Sequence, residues 1–274
     1  MAAPLQGQGR KKNPTSKLFV ADVEGEALID TGETIDQLSK RTVYTAQGTV
    51  IETKEAAINA MVFSNGTGIS LDPETRVEVR KFVQEPFTPN RTDMEVEPSI
   101  SQTVSHVSRG TVGLCTSKLV AGSSMQYTTP NAAVRIKGGK VVIATGNQGT
   151  TVSLIDGEVT VQAGELDAGG QLLQPGFQAF IPAAGGPMQI SRIPPEQLGA
   201  LDDKVSMACM ARKTVYFEAA TRKESSQQAS GQDDITAFEG EGEGDPDEEI
   251  VAIPTTPPDI PIQFTVSPAN LPST

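Results

Sequence analysis

The chain has 274 residues, room for one large domain or two small ones, and it contains no tryptophan and only 4% aromatic residues, so a core has to be built mainly from Val, Ile, Leu and Ala. Its net charge of -12 is unevenly placed: from Arg222 onward there are 2 basic and 11 acidic residues, a net of -9, which leaves -3 for everything before. A nearly neutral body gives no electrostatic reason to bind nucleic acid or an anionic membrane, and no stretch approaches the ~20 apolar residues of a membrane-spanning helix.

Residues 1 to 16 are polar, with Arg10-Lys11-Lys12, and read as a flexible arm. They hold no apolar segment of a signal peptide. Ala-Ala-Pro followed by polar residues nevertheless resembles the start of a mature exported chain, so a longer gene product upstream of Met1 is one expectation. Lys17 to Ile29 reads as one or two strands broken at Gly25, and Thr31 to Arg41 as a loop or short helical turn. Ala56 to Phe63 runs into Asn65-Gly66, a strong hairpin dipeptide. A two-residue loop there sets Val62 opposite Ile69 and Ala60 opposite Leu71. Asp72-Pro73-Glu74 is a turn, after which Val77 and Val79 alternate with Arg76, Glu78 and Arg80.

Glu85 to Ser101 carries three prolines and no period, and reads as a surface insertion. Gln102 to Val120 resumes strands, interrupted at Gly110 and Gly113. Thr128 to Val161 alternates apolar and polar residues between glycine-bearing breaks at Gly138 and at Asp156-Gly157. Taken as a two-residue hairpin loop, Asp156-Gly157 places Leu154 opposite Val159 and Val152 opposite Val161, all on one face. Further turns fall at Gly169-Gly170 and Pro175-Gly176.

Past Pro194-Pro195, Glu196 to Ala220 reads as a helix. Leu198, Leu201, Val205, Ala208, Val215 and Ala219 recur at three- and four-residue steps, with Arg212 the one break. Such a helix is expected to pack on the β core. Residues 222 to 274 read as a disordered acidic and proline-rich tail. Its last apolar part, which includes Ile250, Val251, Ile253 and Ile260, could instead dock in extended form on the domain or on a partner.

The search for chemistry yields little. A single histidine, His106, cannot build a multi-histidine metal site. Cys115 and Cys209 are too few for a disulfide framework; they either make one bridge in an oxidising compartment or are two buried thiols, the simpler expectation. There is no GxSxG elbow, and Asp202-Asp203 and the acidic run lack the spaced ligands of an EF-hand. Gly138-Gly139 lacks the helix that a dinucleotide fingerprint requires. The expectation is that the chain is not an enzyme: no catalytic, cofactor-binding or metal residue stands out. The residues singled out are Asn65, Gly66, Gly138, Asp156 and Gly157, as structural turn makers.

Four stretches together resemble a FecR-like domain. Thr53, Met61 to Phe63, Asn65-Gly66, then Leu71, Thr75 and Val77 look like its first half. Thr129-Pro130 through Gly138 is similar to its second signature. Asp156 to Val161 and Leu173 to Ile181 resemble its closing motifs. The resemblance covers residues 42 to 181, with an insertion at 85 to 101, and departs at Gly139, where the family usually has threonine. In the family's namesake, an iron-uptake regulator, this domain is extracytoplasmic and follows a membrane helix and an anti-sigma segment. Neither is visible here, so only the domain type is carried over.

The resemblance implies a mainly β fold, stacked short antiparallel hairpins of β-solenoid, β-roll or sandwich type over residues 17–193. A C-terminal helix at 194–221 and a disordered tail at 222–274 complete the expected organisation. It further implies a non-catalytic interaction or sensing module in the cell envelope, whose partner is an envelope protein or a second copy, with no nucleic acid. The alternatives are a structural surface component and a β domain that binds a carbohydrate or small molecule.

Overall fold

The structure is a computed structural model that describes residues 16–87, 95–164, 169–220 and 249–254. Fifteen strands join into one continuous, mostly antiparallel sheet. In chain order they begin with β1 (Lys17–Glu24), β2 (Ala27–Asp30), β3 (Ile35–Gln37), β4 (Val43–Thr45) and β5 (Val50–Thr53). Then come β6 (Ile58–Phe63), β7 (Gly68–Leu71), β8 (Arg76–Gln84), β9 (Ser101–Thr116) and β10 (Ser124–Thr128). The sheet is completed by β11 (Ala132–Gly146), β12 (Gly149–Ala163), β13 (Gln171–Leu173), β14 (Phe177–Pro182) and β15 (Gln189–Arg192). Helix α1 (Pro195–Arg212) follows, then a separate two-stranded ribbon of β16 (Val215–Ala220) and β17 (Glu249–Pro254).

The sheet folds over on itself because β9, β11 and β12 are 15 or 16 residues long, beyond the usual span of a strand in one layer. Each serves two layers. The first half of β9 pairs with β8 and, in parallel, with β10; its second half pairs with β7 and β11. One layer therefore runs β13-β12-β11-β10-β9-β8-β5-β2-β3. The other runs β15-β14-β12-β11-β9-β7-β6-β1-β4. Alternating side chains from both layers meet between them, with Ile29, Ile51, Met61, Leu71, Leu114, Val134 and Val152 almost fully buried. Each such aliphatic side chain contributes about 1.5–3 kcal/mol relative to exposure.

α1 lies across the outer face of the second layer. Val205, Ala208 and Ala211 are its buried residues, set against Val142 of β11 and Ala60 and Val62 of β6. β6 is thus covered on both faces, which explains its unbroken apolar run. Gly68 makes this approach possible: a Cβ there would sit 2.0 Å from the Ala208 carbonyl oxygen. Ser70 Oγ donates to the Lys204 carbonyl at 2.8 Å, and the Lys204 ammonium pairs with Asp72.

Several expectations need correction. At Asn65-Gly66 the observed register sets Val62 against Gly68 and Met61 against Ile69, one residue away from the two-residue hairpin. Ser64, Asn65 and Gly66 all belong to the loop. The Gly66 N–H donates to the Phe63 carbonyl, and Gly66 has φ +83°, the left-handed residue that closes a three-residue loop. Asp156-Gly157 is not a hairpin loop at all but lies inside β12, opposite Lys140 and Gly139. The hairpin between β11 and β12 turns instead at Asn147-Gln148, between Gly146 and Gly149.

The helix stops at Arg212 instead of Ala220. Lys213 and Thr214 turn the chain, their N–H groups donating to Met210 and Ala211, and the β-branched and aromatic run from Val215 continues as β16. Its partner β17 falls within the stretch expected to be disordered. The remainder of that tail, 221–248 and 255–274, and the arm at 1–15 lie outside the described residues. Thr31 to Arg41, expected to be loop or helical turn, contains the edge strand β3.

Two threonines of the sequence pattern tie the crossings between layers. Thr53 Oγ1 donates to the Asp72 carbonyl at 2.5 Å and accepts the Thr75 N–H at 2.8 Å. Thr75 Oγ1 in turn accepts the Thr111 N–H at 2.9 Å. Thr53→Val keeps the shape but orphans the buried Thr75 N–H, and is expected to cost about 1–3 kcal/mol in chemical denaturation. A loss below ~0.5 kcal/mol would count against this role.

Candidate functional site

At one end of the two-layer body β11 and β12 pass together from one layer to the other. The crossing is made by Gly138 and Gly139 against Asp156, Gly157 and Glu158. Above it the segment from Ser117 to Ser123 leaves β9 and returns as β10. A cavity of about 910 Å³ lies here. Its walls include the glycine crossing, the β9–β10 segment, Glu95 from the insertion, and Arg212 from the end of α1.

The β9–β10 segment is held by backbone bonds on two sides. The Leu119 N–H donates to Lys137 and the Lys118 N–H to Glu95; the Glu97 N–H donates back to Lys118. Glu97 itself is buried, and its Oε2 accepts the Val120 N–H at 3.1 Å. Burial raises its carboxyl above the ordinary carboxylate range, offset in part by hydrogen bonds from Ser101, Ser123 and Val120. A raised folded-state pKa means that the folded protein holds this proton more tightly than the unfolded chain. The contribution of Glu97 to stability is therefore highest below the ordinary value of 4.5 and falls as pH rises above it. Glu97→Gln is expected to gain melting temperature over the parent at pH 8, with the gain shrinking toward pH 4. Parallel pH curves for the two proteins would contradict this.

Arg212 is largely buried, and burial lowers its pKa from the usual guanidinium value. It donates to Ser117 Oγ at 2.5 Å and to Cys115 Sγ at 3.4 Å. The one break in the apolar period of the helix is thus the residue that reaches the cavity. Beside it Cys115 of β9 and Cys209 of α1 form a disulfide, with Cα atoms 5.1 Å apart. The expectation of two buried thiols is corrected: packing α1 across β9 brings together two cysteines 94 residues apart in sequence.

Of the residues singled out as turn makers, Gly138, Asp156 and Gly157 line the cavity. Asn65 and Gly66 stand beside its wall. Asn65 Nδ2 donates to Ser101 Oγ at 3.1 Å, and Gly66 faces Ser117, whose Oγ is 3.5 Å from where a Cβ would lie. His106 is elsewhere, on the outer face of the first layer, its Nδ1 3.0 Å from Thr128 Oγ1. Its pKa is lowered, chiefly by burial and then by Arg80, against an opposing effect of Glu78. On the same face Glu52 gathers Lys54, Arg76 and Arg109. Hydrogen bonds from Lys54 and Arg76 hold its carboxyl at about 2. Among the described residues no group of three or more His, Cys, Asp or Glu side chains could hold a metal ion, and no helix is long and apolar enough to cross a membrane.

Sequence reasoning did not find Arg212, Lys118, Arg135 or Glu97. The only hint was the charge that interrupts the helical period at Arg212.

Residues 49–160 match the family described as FecR protein. No curated protein matches the chain. Two crystal structures of a candidate anti-sigma factor from Parabacteroides distasonis are similar to it, at 15% and 16% identity and TM-scores of 0.41 and 0.42. Each similarity covers 55% of this chain, and 62% and 63% of the other, so the chain spans less than two thirds of those proteins.

Proposed function

We propose, from the premise that residues 49–160 are a FecR domain, that this protein is a non-catalytic interaction module of the cell envelope. The functional unit is the β body from about 17 to 193 with α1 fixed upon it. The observation that carries this reading is the Cys115–Cys209 bridge, which fastens α1 to the sheet. Bridges of this kind persist in oxidising compartments and are rare in the cytosol. They keep a helix in place when its own packing is modest, and α1 buries only Val205, Ala208 and Ala211.

The surface offered to a partner is the outer side of α1, where Met210 is 65% exposed. An envelope protein or a second copy of the chain would meet this side. The test is site-specific photocrosslinking in intact cells from positions Met210 and Asp203, with the exposed Glu33, in the turn between β2 and β3 of the other layer, as control. A discrete adduct from α1 that is absent from Glu33 supports the reading. Equal labelling from all three positions, or no adduct, overturns it.

A further inference from the structure

We propose that the cavity at the glycine crossing binds a small amphipathic anion, a molecule with an apolar body and one carboxylate-like head. The volume of about 910 Å³ falls within the ~300–1,000 Å³ of small-molecule sites. Its apolar wall comes from Val104 of β9 and from Leu119, Val120 and Ala121 on the segment between β9 and β10. Such a wall suits a hydrocarbon or ring system, not a sugar or a nucleotide.

The charges decide the head group. Four cations and three acids line the cavity. Lys137 is paired with Glu158 at 2.5 Å, and Arg212 is engaged with Ser117 and Cys115. Lys118 and Arg135 are different: among the described residues neither makes an ion pair or a side-chain hydrogen bond. Both line the cavity, Lys118 from the segment leaving β9 and Arg135 from β11. An anionic head placed between them gains two charge-assisted contacts, and a cationic head meets repulsion.

The floor and roof are fixed. Gly139 and Gly157 abut so closely that a Cβ on either would fall 2.1 Å from a backbone oxygen of the facing strand. The backbone bonds through Leu119, Lys118 and Glu97 hold the segment above. The site is therefore preformed, and binding would proceed with little reorganisation. Occupancy of this site is independent of whether α1 recruits a protein.

The test is isothermal titration of the full chain with dodecanoate below its critical micelle concentration, with dodecanol and dodecylammonium as matched probes. One saturable site for dodecanoate, at least tenfold tighter than for either control, is expected. The double variant Lys118→Glu/Arg135→Glu, at two exposed positions, should weaken dodecanoate at least tenfold and leave the melting temperature unchanged. Equal binding of dodecylammonium, binding unaffected by the double variant, or no saturable binding overturns the proposal. A variant with lowered melting temperature is replaced by Lys118→Gln/Arg135→Gln, for which a loss of at least threefold is expected and an unchanged affinity overturns the site.

Discussion

Replacing Cys115 and Cys209 together by alanine is expected to lower the unfolding free energy by about 3–5 kcal/mol. The bridge closes a loop spanning 94 residues, from the middle of the β body to the C-terminal helix. In the chain-entropy account the stabilisation grows slowly with loop length, and a loop of this size lies near the top of the usual range. A second effect acts in the same direction. Without the bridge α1 is held by Val205, Ala208 and Ala211, the Lys204–Asp72 pair, Ser70 and the Arg212–Ser117 hydrogen bond. The helix should therefore loosen before the sheet does. Urea unfolding of parent and double variant, followed by circular dichroism, measures the first effect. Hydrogen exchange along residues 195–212 measures the second. Equal stabilities with unchanged exchange in α1 would show that the staple does not hold the helix.

Gly157→Val should be as damaging, at about 3 kcal/mol or more, and should break the protein at a different place. Gly157 has φ +102°, a conformation that a β-branched residue resists. The larger cause is steric. An added Cβ would sit 2.1 Å from the Gly138 carbonyl oxygen and 2.6 Å from Gly139 Cα. These are backbone atoms of a paired strand and cannot swing aside. The crossing of β11 and β12 between layers would have to open, and the cavity floor with it. The expected readout is a large fall in melting temperature or loss of soluble protein, together with loss of dodecanoate binding in whatever folds. A melting temperature within about 2 °C of the parent would mean that the crossing tolerates a side chain, against the observed geometry.

The β character of residues 17–193 was legible because period-two alternation and glycine-marked breaks are local signals. The use of each glycine was not. Asn65-Gly66 and Asp156-Gly157 carry the same dipeptide signal, yet one closes a three-residue loop and the other lies within a strand that changes layer. A hairpin and a crossing both need positive φ, and only the pairing partners distinguish them. For Asp156-Gly157 the partner is Gly139-Lys140, beside the Gly138 break, and the two signals read separately conceal that they meet.

The helix was legible over most of its length and overrun at its end. Val215 and Ala219 happen to continue the three-and-four spacing, although Val215-Tyr216-Phe217 is a run that favours strand. The choice is made by β17, whose sequence lies beyond the acidic stretch and pairs residue by residue from Val215↔Pro254 to Ala220↔Glu249. Composition assigned Glu249–Pro254 to the tail because a six-residue strand is diluted by its neighbours. The disulfide had no local signature, since nothing in the flanking residues of Cys115 or Cys209 points to the other. The cavity was equally hidden: Lys118, Arg135 and Arg212 are far apart in sequence and converge only once the long strands fold back.

The most direct measurement is disulfide mapping on the native protein. Cells are treated with iodoacetamide to block free thiols, fractionated, and the protein is digested without reductant for mass spectrometry. A FecR-domain module that works in the envelope should be recovered outside the cytosol with the Cys115 and Cys209 peptides joined. Recovery from the cytosol with both cysteines alkylated would contradict the account.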